Sequence, residues 1–187
     1  SDPVVSVRAE GHGPLQEVLA TVNNSALGPL IGGALSKALV NGESDLMLGL
    51  TVPVNQPNKT KVTGQVQFKN NEVQVLPGTP VLTQTQGQLN FDGQGFDVKD
   101  LKAKTLGGDV KMQGGLSFVE NATQAPKQLQ MTGQLTGDGL RQAKEMGMVS
   151  RLALNTMGRA NYQATIGIKR GQPELLITSD LKGLSLT

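Results

Sequence analysis

Gly64, Gly87, Gly114 and Gly133 each interrupt a run of alternating polar and apolar residues, and each is followed two positions later by an apolar side chain, Val66, Leu89, Leu116 or Leu135. The runs are Val62–Phe68, Thr85–Phe91, Met112–Phe118 and Met131–Gly137. Glycine has no side chain to pack and weakens a strand, so inside one it marks a bend, a bulge or a close approach. Its return at intervals of about 20–30 residues reads as one two-strand unit used repeatedly. Few folds accept such a chain: hairpins must stand side by side in a sheet.

The alternation continues outside these runs. Val5 and Val7 share a face over residues 4–9, and Leu46, Leu48, Leu50 and Val52 alternate with Asp45, Met47, Gly49 and Thr51, the period of a strand with one buried side. Asn70-Asn71 and Asp92–Gly95 read as turns of antiparallel hairpins. The phase changes between Val98 and Leu101, which places a bulge near Asp100. Helical spacing is confined to three places: residues 14–23, where Pro14 suits a first helical position, the apolar stretch 27–39, and a short segment behind Asp138 carrying Leu140, Ala143 and Met146.

The expected fold is mainly β, a strongly curved, mostly antiparallel sheet over about residues 43–183 with two or three short helices capping or covering it. The whole of 1–187 reads as one unit, with a helical cap region over 1–41 and repeated hairpins over 42–187. Because Leu184–Thr187 looks like a strand cut in mid-pattern, the chain is expected to be a segment of a longer repetitive protein.

One face of most strands is aliphatic and the other is Gln, Lys, Thr, Asn and Asp. Gln65, Gln67, Gln86, Gln88, Gln113, Gln130 and Gln134 all fall on strand-like runs, so that face is solvated. The aliphatic face must be covered. It can close into a sandwich or barrel with an ordinary core, or form an open trough that holds something apolar. Glycine kinks are a device for bending a sheet, and their regular placement favours a strongly curved one, whether closed or open. By parity its inner face comprises Val62, Val66, Phe68, Leu89, Phe91, Val98, Val110, Met112, Leu116, Phe118, Leu129, Met131 and Leu135. The two N-terminal helical stretches are expected to cover part of that face or one end of it.

Composition excludes much else. Lys and Arg exceed Asp and Glu only by 17 to 15, and aromatic residues make up 3% of the chain, so neither the electrostatic pull nor the stacking platforms of a nucleic-acid binder are present. Cysteine is absent and His12 is the single histidine, which leaves no metal site of usual composition. Asp92, Asp97 and Asp100 lack the spacing and closing Glu of a calcium loop. Gly11-x-Gly13 and Gly93-x-Gly95 lack the third glycine of a dinucleotide loop. No Gly-x-Ser-x-Gly elbow occurs. No catalytic residue and no cofactor are expected; the chain does not read as an enzyme. Arg141, Lys144, Arg151 and Arg159 form a basic group that suits either lipid headgroups or plain solvent.

The order Leu48–Val54, Val62–Asn71, the Pro77-Gly-Thr-Pro80 loop, Gln86–Phe91, Lys104–Gly108 and the tail Tyr162, Ile166 and Thr178–Gly183 resembles the YhdP branch of the AsmA-like proteins over most of residues 4–185. The resemblance implies a β-groove segment of a periplasmic protein anchored in the inner membrane and reaching toward the outer membrane. It also implies phospholipid movement between the two membranes and outer-membrane integrity. Partners would be phospholipid acyl chains, neighbouring repeats of the same chain, and both membranes through regions outside this segment. Related groove proteins serve outer-membrane protein assembly, so two other readings stand beside it: an interaction module that receives a client strand at a sheet edge, and a structural β-spacer.

Overall fold

Along β4 (Lys61–Gln74), Val62, Val66 and Phe68 are buried while Lys61, Thr63 and Lys69 face solvent, so the period-two pattern is used as the sequence implies. The computed structural model describes residues 3–24, 37–117, 126–169, 172–180 and 182–186. Its other strands are β1 (Val4–Pro14), β2 (Leu39–Asn41), β3 (Glu43–Pro53), β5 (Leu82–Asp92), β6 (Gly95–Thr105), β7 (Gly108–Ser117), β8 (Leu129–Thr136), β9 (Thr156–Lys169), β10 (Gln172–Ser179) and β11 (Leu184–Leu186). The helices are α1 (Leu15–Asn24), α2 (Gly137–Gln142) and α3 (Met148–Leu152). None of them is long and apolar enough to cross a bilayer.

All pairings are antiparallel and follow the order β1-β3-β4-β5-β6-β7-β8-β9-β10, with β2 continuing beside β4 where β3 leaves it and β11 continuing beside β9. The sheet does not close into a barrel: β1 and β10 stand at its two ends. The mainly β, curved, open architecture with three short helices is therefore as expected.

The bend has a visible cause. Asn70, Gln84, Gly87, Asp100 and Gly114 all have positive φ, at 67°, 52°, 123°, 53° and 90°. Register shifts interrupt the ladders beside them, between Lys69 and Val73 on β4, Thr83 and Gln88 on β5, and Val98 and Leu101 on β6. These positions are neighbours across the sheet, since Lys69 lies opposite Gln86, Gln86 opposite Lys102, and Val98 opposite Gly114. Bulges bend a strand and increase its twist, so a row of them creases β4–β7 along one line.

The repeated glycines thus divide into two uses. Gly87 and Gly114 hold left-handed backbone in the crease. Gly64 instead makes room: a Cβ there would run into the ring of Phe91. The register sets Gly64 opposite Phe91 and Phe68 opposite Gly87, but a Cβ at Gly87 would meet Leu101 and the Asp100 carbonyl of β6 instead.

Three local expectations need correction. Asn70-Asn71 is not a turn but a bulge inside the continuous strand β4. Gly11–Pro14 is strand, with Pro14 opposite Glu43 as the last residue of β1, and the helix starts one residue later. Pro is tolerated there because β1 is an edge strand. Residues 27–36 of the expected helix over 27–39 lie outside the described residues, and Leu39 belongs to β2. The bulge expected near Asp100 is present. Asp92 closes the next turn as an Asx turn, its Oδ1 accepting from the backbone N–H of Gln94 at 2.7 Å and of Gly95 at 3.0 Å.

Candidate functional site: the apolar inner face

A single register line crosses nine strands: Gly11, Leu46, Val66, Leu89, Val98, Gly114, Leu129, Ile166 and Leu175 are successive cross-strand partners. A parallel line runs Leu101, Met112, Met131, Ala164 and Ile177. Paired residues point to the same side of a sheet, so one continuous apolar face extends from β1 to β10.

Val62, Val66, Phe68, Phe91, Val98, Val110, Met112, Leu116, Leu129, Met131 and Leu135 are buried in one cluster, and Leu89 is half-buried against it. Phe118 lies outside the described residues. Sequence parity missed Phe96, Leu101, Tyr162 and Ile166, which join the same cluster. Phe96 is two residues from Val98, and Tyr162 and Ile166 alternate in the tail, so that signal was present.

The face is filled at its centre and open at its ends. At β1, Val5 is 52% and Val7 47% exposed; at β10, Leu175 and Ile177 are each 37% exposed. Between them lies a cavity of about 80 Å³ lined only by apolar residues, among them Phe68, Leu82, Leu89, Phe91, Leu101 and Met112 from the sheet and Leu15 and Leu19 from α1. An apolar cavity of about 150 Å³ takes up benzene. The present one has room for a short run of methylenes.

Helix α1 is its cover, in keeping with the role expected for residues 14–23. The N–H of Leu15 donates to the Gly42 carbonyl at 3.2 Å, and the Val40 N–H donates to Gln16 Oε1 at 2.9 Å. The anchor beneath is Asn71, wholly buried. Its Oδ1 accepts from Lys69 N–H at 2.7 Å and Ser44 Oγ at 3.0 Å, and its Nδ2 donates to the carbonyls of Asn41 at 3.1 Å and Glu43 at 3.2 Å. All four bonding capacities of the amide are used, two of them by the carbonyls of Asn41 and Glu43, which flank Gly42, the residue that receives α1.

Polar groups on the inner side are few. Thr85 Oγ1 and the Tyr162 hydroxyl are buried with no hydrogen-bond partner among the described residues. Burial pushes the Tyr162 phenol up to about 12, so it stays neutral.

The outer face is polar and ion-paired. His12 projects from β1 between two carboxylates of β3, Nδ1 at 2.7 Å from Asp45 Oδ1 and Nε2 at 3.1 Å from Glu43 Oε2, and Lys69 of β4 pairs with Asp45. Hydrogen bonds to Asp45 and then Glu43 raise the His12 pKa above its ordinary 6.5, and those from Lys69 and then His12 lower Asp45 below 3.8. Because the folded pKa of His12 is the higher one, its contribution is complete below pH 6.5 and fades as pH rises through the raised value. Asp45 contributes above 3.8 and its share fades as pH falls through the lowered value. The clasp joining β1 to β3 is therefore strongest in mildly acidic solution. His12→Gln should flatten the fall in melting temperature on going from mildly acidic to alkaline pH; an unchanged profile would show that the pair holds nothing. The effect is small, as for exposed pairs generally.

A protein-family model described as YhdP protein matches residues 1–187. No curated protein and no solved structure gives a significant match.

Proposed function

The chain belongs to the YhdP family over its whole length, residues 1–187, and from that premise we propose that its inner face shields lipid acyl chains during phospholipid transport between the inner and outer membranes. In this reading it is a periplasmic segment of an inner-membrane-anchored protein, its partners are acyl chains and neighbouring repeats, and its contribution is to outer-membrane barrier integrity. The observation that carries the reading is the apolar face that crosses nine strands without interruption and emerges exposed at both end strands. A family linked to lipid transport agrees with it.

Entry requires α1 to move, and the magnitudes permit it. Exposing Leu15 and Leu19 costs about 2 kcal/mol each. Each methylene taken from water returns about 0.8 kcal/mol, so about five buried methylenes offset the loss, fewer than a membrane acyl chain carries. No polar contact is needed for affinity, which suits a conduit more than a selective receptor.

Delipidated protein should take up a fluorescent fatty-acyl probe, and mass spectrometry of the purified chain should find co-extracted lipid. Absence of both would remove the reading. Replacing Leu15 and Leu19 together by Ser should speed probe uptake several-fold with the strand circular dichroism retained; uptake that is slowed or unchanged would mean that α1 is no cover.

One observation favours strand augmentation as the alternative. β1 and β10 end the sheet with exposed apolar side chains, including Val4 at 56% and Leu176 at 67%, as a client strand would require. In that case extended peptides compete for the edge and fatty-acyl probes do not.

A further inference from the structure

We propose that the outer side of the helical cap between β8 and β9 docks on an anionic bilayer surface. The inner side of this cap is committed: Leu140, Ala143 and Met146 pack against the core. Its outer side leaves Met148 75%, Leu154 65% and Met157 55% exposed. The three belong to one short stretch of chain, and exposed apolar surface of that kind marks a contact site.

The exposed charges of the cap and the start of β9 that have no ion pair among the described residues are all positive. Lys144, Arg151 and Arg159 are exposed and make no ion pair among the described residues, whereas Arg141 is taken by Asp138. Of the two carboxylates in the cap, Asp138 is paired with Arg141, and Glu145, part-buried, accepts the backbone N–H of Val81 at 3.1 Å. On β9, Ala160 and Tyr162 point inward, so Met157 and Arg159 share the outer face.

Cations beside exposed aliphatic and thioether chains complement acidic headgroups above acyl chains. Flexible methionines suit a fluid interface, which offers no shaped pocket. The cap lies on the rim that also carries α1, since both follow strands running the same way. Docking there brings a bilayer beside the cover of the groove. The contact itself does not depend on the groove holding lipid.

Co-sedimentation of the whole chain with vesicles of phosphatidylcholine alone, and of phosphatidylcholine with one third phosphatidylglycerol, tests the proposal. Binding to the anionic vesicles should be tighter by about tenfold or more and should weaken with added salt. Lys144→Glu with Arg151→Glu should abolish the preference, and Met148→Ser with Leu154→Ser should weaken what binding remains. Both double variants should keep the parent circular dichroism and should still take up a fluorescent fatty acid in the absence of vesicles, which keeps this result separate from the fate of the groove reading. Equal binding to the two vesicle types, or binding unchanged in both variants, overturns the proposal. No binding to either also overturns it and leaves the face to a protein partner.

Discussion

Leu116→Asp is expected to abolish the native fold, while Leu89→Asp keeps the fold and loses most lipid uptake. The two leucines share parity and spacing after a glycine, yet their surroundings differ. Leu116 is 2% exposed and pairs with Phe96 in the packed centre of the sheet. A carboxylate there has no partner, and burying an unpaired polar or charged group costs several kcal/mol, comparable with the roughly 5–15 kcal/mol that holds a domain together. Leu89 is half-buried on the wall of the cavity beneath α1, where an Asp reaches water by displacing the helix and makes the wall hostile to an acyl chain. Circular dichroism beside a fatty-acyl uptake assay separates the outcomes. Unfolding of both variants would show a closed core with no groove in this segment. Two folded variants with undiminished uptake would move the lipid path elsewhere.

Much of this was legible because the determining pattern is local. Parity alone places Val62, Val66, Phe68, Leu129 and Met131 on one side of the sheet, since a strand's side chains alternate whatever it pairs with. Asp100 could be seen as a bulge because apolar residues on both sides, Val98 and Leu101, reveal the phase change. Asn70 could not. Asn adopts left-handed backbone equally well in a turn or a bulge, and what holds the bulge is the next residue, Asn71, whose amide donates to the Asn41 and Glu43 carbonyls about thirty residues earlier. Pro14 was misplaced for a similar reason, because its role follows from pairing with Glu43. The unequal exposure of Leu89 and Leu116 was also hidden, since it depends on where α1 crosses the sheet, and a one-dimensional pattern carries no such information.

Asn71→Ala should destabilise the chain by about 3–5 kcal/mol, at and beyond the top of the usual range for a single substitution, and before global unfolding it should quicken uptake of the acyl probe. The amide is fully buried and serves four groups: Lys69 N–H, the Ser44 hydroxyl and the carbonyls of Asn41 and Glu43. Alanine leaves these without their partner, and each buried polar group so stranded costs about 1–3 kcal/mol. Ser44→Ala is the calibrating variant. It removes one donor while Asn71 Oδ1 keeps Lys69 N–H, so its cost should be about 1 kcal/mol, and the double variant should be little worse than Asn71→Ala. Asn71→Asp should be no milder than alanine, because it sets a carboxylate oxygen against the carbonyls of Asn41 and Glu43 in place of a donor. Urea midpoints for the four chains test the order. The functional half follows from position: Asn41 and Glu43 flank Gly42, whose carbonyl receives the first N–H of α1. Loosening that turn frees the hinge of the cover while β5–β9 remain paired, so uptake accelerates at urea concentrations where strand circular dichroism is still native. If Asn71→Ala unfolds in one step, with no faster uptake beforehand, the amide anchors the sheet and α1 does not gate the cavity.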